Sequence, residues 1–84
     1  MGESITYKHN ILIYPNPAND IINIETDKNG QLTSTIHSLS GQLMYRKIIE
    51  GPTHRIDLST FQKGIYIITV RSRDQVLTEK IIKL

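Results

Sequence analysis

Short runs rich in isoleucine recur along the chain roughly every ten residues, and each is stopped by glycine, proline, asparagine or aspartate. A helix that packs on a core would place apolar residues at every third or fourth position over several turns, and no stretch sustains that rhythm. β-branched side chains are stiff at χ1 and pack well on a pleated surface. The punctuation therefore predicts an all-β fold, an immunoglobulin-like β-sandwich of about seven antiparallel strands.

The expected strands can be read in order. A weak run covers Ile5–Lys8. Ile11–Tyr14 follows and runs into Pro15-Asn16-Pro17, where two prolines fix φ and withhold two amide donors, so pairing must end there. In Asp20–Thr26 the isoleucines Ile22 and Ile24 share one face, with Asn23 and Glu25 on the other. Asp27-Lys28-Asn29-Gly30 supplies a reversal, because Asn-Gly tolerates positive φ. Gln31–Ser38, Gln42–Glu50, His54–Leu58, Ile65–Arg71 and Val76–Lys83 complete the series, separated by Ser40-Gly41, Gly51-Pro52, Gly64 and Asp74-Gln75. Ile65–Ile68 is apolar on both faces, which predicts a central strand covered on both sides.

At 84 residues the chain holds one domain with an economical core. Cysteine is absent, which excludes disulfides, thiolate metal sites and cysteine nucleophiles within it. The net charge of +2 is unevenly placed: Arg71, Arg73, Lys80 and Lys83 face only Asp74 and Glu79 in the last segment, while earlier charges cancel. These lysines are expected to lie in solvent along a strand edge. A nucleic-acid groove would need more basic residues with aromatic platforms among them. The apolar runs are too short to cross a bilayer as helices, and Met1-Gly2-Glu3-Ser4 is no signal peptide. Met1-Gly2 reads as a cloning remnant, and residues 1–10 as a linker with a possible first strand.

No catalytic constellation stands out. His9, His37 and His54 share no ligand spacing, and those in strands are expected to point outward. Asp20 and Asp27 flank turns, where short carboxylates bond the local backbone. Ser38, Ser40, Ser59 and Thr60 lack the glycine frame of a nucleophile elbow. The single glycines form no phosphate cradle. Neither an enzyme, a metal site nor a cofactor is expected.

One family resemblance carries the reading further. Leu12-Ile13-Tyr14-Pro15-Asn16-Pro17-Ala18-Asn19-Asp20, followed by Ile22-Asn23-Ile24, resembles the opening motif of the C-terminal sorting domains of the type IX (Por) secretion system. Ile36-His37-Ser38-Leu39-Ser40-Gly41-Gln42-Leu43-Met44 is similar to their second motif, with Ser38 where an acidic residue is common. Leu58 through Gly64-Ile65-Tyr66-Ile67-Ile68 resembles the third, and Lys80-Ile81-Ile82-Lys83-Leu84 the closing tail. The resemblance spans residues 11–84.

The resemblance implies a sorting signal that ends a larger exported protein of a Gram-negative bacterium of the Bacteroidetes type. The cargo would cross the periplasm, be read by an outer-membrane translocon, lose the domain to a sortase-like cysteine peptidase, and finish on the cell surface or in the medium. The residues expected to carry recognition are Tyr14, Pro15, Asn16, Pro17, Gly41, Gly64, Tyr66, Lys80, Ile81, Ile82, Lys83 and Leu84. If the final strand lies at a sheet edge, its free backbone groups would suit strand addition by a receptor. The rival expectation is an accessory module gripping a glycan or a neighbouring domain, for which Tyr7, Tyr14, Tyr45 and Tyr66 would be the candidate contacts.

Overall fold

The computed structural model describes residues 11–27, 30–73 and 75–84. The run Ile5–Lys8, Tyr7, His9, the residue 1–10 linker, the Lys28-Asn29 centre of the first reversal and Asp74 lie outside the described residues.

Seven strands form: β1 (Ile11–Tyr14), β2 (Ile21–Thr26), β3 (Gln31–Ser38), β4 (Leu43–Glu50), β5 (Thr53–Asp57), β6 (Gly64–Arg71) and β7 (Val76–Lys83). They make a three-stranded sheet, β1-β2-β5, and a four-stranded sheet, β4-β3-β6-β7. Every pairing within them is antiparallel. The strands are where the apolar runs place them, with ends shifted by a single residue. Leu58 leaves β5 because its amide donates to the Asp20 carbonyl (2.6 Å) and its own carbonyl accepts from Phe61 (2.9 Å).

Side chains alternate across each strand, so each sheet has one apolar face, and the two faces meet. The three-stranded sheet contributes Ile11, Ile22, Ile24 and Ile56. The four-stranded sheet contributes Leu32, Ile36, Ile49, Tyr66, Ile68, Val70 and Ile81, and the loop residues Ala18 and Leu58 close the core. Each fully buried isoleucine is worth about 1.5–3 kcal/mol relative to exposure.

The expectation that Ile65–Ile68 is covered on both sides is corrected. β6 is central in its sheet, between β3 and β7, but only Tyr66, Ile68 and Val70 meet the second layer. Ile65 is 38% exposed and Ile67 half-buried, since a two-layer sandwich leaves the outer face of each sheet open. On that face Ile65 pairs across the strands with Ile82, and Ile67 with Lys80 and His37.

The β3–β4 hairpin carries a bulge: Ile36 opposes Tyr45 while His37 opposes Leu43, leaving Met44 as the extra residue. The turn ends on Gly41 at φ +94°, a backbone geometry that a side chain makes costly rather than a crowded one, as a Cβ there would meet nothing.

The burial pattern separates Ile68 from Ile48, which is 51% exposed. Ile68→Ala should cost about 2–5 kcal/mol in urea unfolding, whereas Ile48→Ala should stay within about 0.5 kcal/mol. Equal losses would overturn the assignment of inner and outer faces.

Candidate functional site

Pro15 and Pro17 offer no amide to the ladder, so the chain leaves the three-stranded sheet after Tyr14. Both peptide bonds preceding these prolines are cis. The loop crosses to the outer edge of β7 in the other sheet. There the Asn16 side chain, which like a peptide group holds both a donor and an acceptor, takes a place in the hydrogen-bond ladder. Its Nδ2 donates to the Lys80 carbonyl (2.8 Å), and its Oδ1 accepts from the Ile82 amide (3.0 Å). Ala18 continues the pattern: its amide donates to the Ile82 carbonyl, and its carbonyl accepts from Leu84, both at 2.8 Å. Ala18 and Lys83 form a parallel bridge. The edge from Lys80 to Leu84 is thus occupied from within the chain. This corrects the expectation of free edge groups there, which rested on β7 being last in its sheet.

The two tail lysines also part company. Lys80 is exposed on the outer face, as expected. Lys83 is not in solvent: it follows Ile81 onto the inner face and is only 8% exposed, because a two-residue period separates it from Lys80 by an odd step. A buried ammonium requires partners. Lys83 Nζ lies 3.6 Å from Asp20 Oδ1 and donates to the Leu84 main-chain oxygen at 2.9 Å. Asp20, expected to bond its local backbone, instead joins distant segments. Its carboxylate faces Lys83, and its carbonyl accepts from Leu58.

The middle segments are tied in through β6. Gly64, at φ +150°, opens β6 directly opposite Lys83. Tyr66 is buried with its hydroxyl at the rim, donating to the Gln62 carbonyl (2.6 Å), and its ring meets Phe61 edge-on at 5.2 Å. The Asp57 carboxylate accepts from the Ser59 amide (2.8 Å), a bond that holds its carboxyl below the ordinary value. Sequence reading passed over this turn, although Asp followed two residues later by a serine amide is its signature. Ser38 Oγ accepts from the Gln42 amide (3.1 Å), the local bond expected of a serine at that position.

Of the proposed recognition residues, Asn16 meets Lys80 and Ile82, while Gly64 and Tyr66 lie beside the tail in register with Lys83 and Ile81. Tyr14 is separate: its exposed hydroxyl bonds Glu25, which raises its pKa first through that bond. Gly41 lies in the β3–β4 turn and bonds only its own hairpin there.

His54 corrects a further expectation. Its strand position matches that of Ile56, so it faces inward, half-buried, with Nε2 3.3 Å from the Tyr45 hydroxyl. Burial, reinforced by the Lys47 charge, lowers its pKa. His37 points outward, as expected. Among the described residues, no three His, Cys, Asp or Glu side chains gather as a metal site would need.

The family model of secretion system C-terminal sorting domains matches residues 12–84. A beta-agarase D of Zobellia galactanivorans is 31% identical over 71 residues, which are 83% of this chain and 14% of that protein. The chain thus spans about a seventh of that relative. Among solved structures, a chain from work on PorZ, a surface component of the type-IX secretion system of Porphyromonas gingivalis, superposes with a TM-score of 0.64 at 18% identity. It covers 88% of this chain and 11% of that one. That likeness extends the sandwich fold to a distant sequence.

Asn16→Ala removes two ladder bonds at an exposed position and should lower stability by about 1–2 kcal/mol in denaturant unfolding; an unchanged midpoint would show that the loop does not hold β7. For His54, the folded state disfavours the proton that the unfolded chain accepts. Its contribution to stability is therefore full above the ordinary imidazole value and is lost as pH falls through the lower folded-state value. His54→Gln should flatten the dependence of Tm on pH between about pH 7 and about pH 5, and parallel curves for the two proteins would refute this.

Proposed function

The chain belongs to the family of secretion system C-terminal sorting domains, and from that premise we propose that residues 11–84 are read as a folded unit by an outer-membrane type IX translocon. Residues 1–10 are the end of a linker joining the domain to its cargo. A sortase-like cysteine peptidase cuts in that linker, at or upstream of Met1–Asn10, after the cargo has passed through the periplasm. The cargo is then released or joined to anionic lipopolysaccharide at the cell surface.

The observation that carries this reading is the meeting of the opening and closing motifs. Asn16 and Ala18 lie more than sixty positions from Ile82 in the sequence, yet they share one ladder with it. A tail presented in this way is a surface with a shape, which a receptor can tell from an unfolded end. The domain itself contributes recognition and no catalysis: Ser38 and Ser40 bond each other within a turn, and Tyr45 and His54 pair across the two layers.

Full-length cargo in its native host tests the reading. Deletion of Lys80–Leu84 should leave the cargo uncleaved in the periplasm, and normal surface delivery of that protein would overturn the proposal. Because the deletion also strips a strand end, Lys80→Gln supplies the milder change. Lys80 is exposed and uses only its carbonyl in the ladder, so the fold should move by less than about 0.5 kcal/mol. Slower delivery is expected from the lost charge. Delivery at the wild-type rate would remove this ammonium from the signal. Lys83 cannot serve in the same way, since its substitution removes a buried side chain and its ion pair with the exposed Asp20.

A further inference from the structure

The edge of β7 is occupied in an unusual manner, and the occupant is a weak one. We propose that the Asn16–Ala18 loop is a placeholder for an incoming strand: the receptor's own extended segment adds to β7 between Val76 and Leu84, parallel to it, after displacing the loop. This inference rests on the sorting-signal reading and adds to it the docking edge, the geometry and a closed state that must open first.

Three observations support it. The loop already imitates strand addition, because Ala18 bridges Lys83 in parallel and its two backbone bonds flank that residue as a neighbouring strand's would. Toward Lys80, however, the imitation fails. There a side-chain amide from Asn16 stands in for a backbone one. A continuous strand would supply backbone groups along the whole edge, including the stretch at Val76 and Thr78 that lies beyond the loop's reach. The second observation is how little apolar surface the loop buries. Pro15, Asn16 and Pro17 are exposed, and only the small Ala18 side chain is fully covered. The third is the position of the loop in the chain. It follows β1 directly, next to the segment that leads to residues 1–10, so a change in how the chain enters the sandwich acts first on the strand that carries the loop.

The fit defines the partner. It is an extended protein segment with a small residue where Ala18 sits, since that position is fully enclosed. An acidic group one or two positions onward would replace Asp20 beside the Lys83 ammonium. Without a placeholder, the Lys80–Leu84 stretch of β7 would lengthen the bare edge presented to other chains, a known route to aggregation. The loop keeps it closed until a better strand arrives.

Hydrogen exchange on the 84-residue chain is the first test. The Ile82 and Leu84 amides, which donate to the loop, should exchange at least about tenfold faster than the core amides of β6, through an opening smaller than global unfolding. Asn16→Ala should speed them further and leave β6 unchanged. Exchange of all these amides at one common rate would refute a separate open state.

Export of full-length cargo is the second test. This chain has no cysteine, so Ala18→Cys with Lys83→Cys places one defined pair at bridge partners, within reach of a disulfide. The oxidised protein should remain in the periplasm, and a membrane-permeant reductant should raise its delivery to that of the reduced variant, which lies below the wild type because the Lys83 ammonium is lost. Equal delivery of oxidised and reduced forms would overturn the proposal. If neither form is delivered, Asn16→Ala decides: delivery at or above the wild-type rate, despite lower stability, supports a displaced loop. Delivery that falls as it does in a core variant of matched stability, Ile68→Val, shows that the loop is structural only. A cargo lacking residues 11–84 keeps the two readings apart, for its delivery would defeat the sorting function itself rather than the loop's part in it.

Discussion

The side chain of Asn16 ties the loop after β1 to the edge of β7 as a borrowed peptide group, and one end of the sandwich is arranged around that tie. A sandwich of three strands on four has no covalent tie between its layers beyond the connecting loops, and this chain has no cysteine to add one. The loop after β1 belongs to one sheet by sequence and to the other by hydrogen bonding. Ala18 and Asp20 extend the tie, the first through the ladder and the second through the buried ammonium of Lys83. Asp20 also receives the Leu58 amide, so the segments around residues 16, 58 and 82 are fixed against one another at one end of the sandwich.

Charge and burial are coupled at the same place. The basic tail is not a uniform positive strip. Alternation along β7 sends Lys80 outward beside Ile67 and Lys83 inward below Ile81. The inward lysine costs desolvation and is tolerated because a carboxylate and a main-chain oxygen lie within reach. Its place is at the end of the chain, beside Asp20, while Lys80 stays exposed on the outer face. A pair of residues that look equivalent in the sequence therefore has one structural member and one surface member.

This division clarifies what a sorting domain of this family can present. The tyrosines of the described strands are each engaged, Tyr14 with Glu25, Tyr45 with His54 and Tyr66 with Gln62, and they do not gather into a shared platform of the kind an accessory glycan-binding module uses. What the molecule offers instead is an edge, an outer-face row in which Ile65 and Lys80 are exposed and Ile82 is half-buried, and a loop that spans from one sheet to the other.

The sequence by itself determined the strands, the inner face of those with alternating isoleucines and several of the turns, because a two-residue alternation of isoleucine and a glycine or proline every ten residues are local properties. Ile22 and Ile24 inward, a reversal at Ser40-Gly41 and the end of β1 at Pro15 were all legible in this way. The motif order also placed the chain in its family. Only the tertiary structure decided which groups meet. Nothing local indicates that Asn16 pairs with β7 rather than with its own sheet, that Asp20 faces Lys83, or that His54 turns inward beside Tyr45. Nor could the sequence tell that the outer side of Ile65 would lie open, since an apolar run is the same whether one layer or two cover it. These contacts depend on how two sheets are stacked and on which edge a loop reaches, and alternation along a single strand carries no information about either.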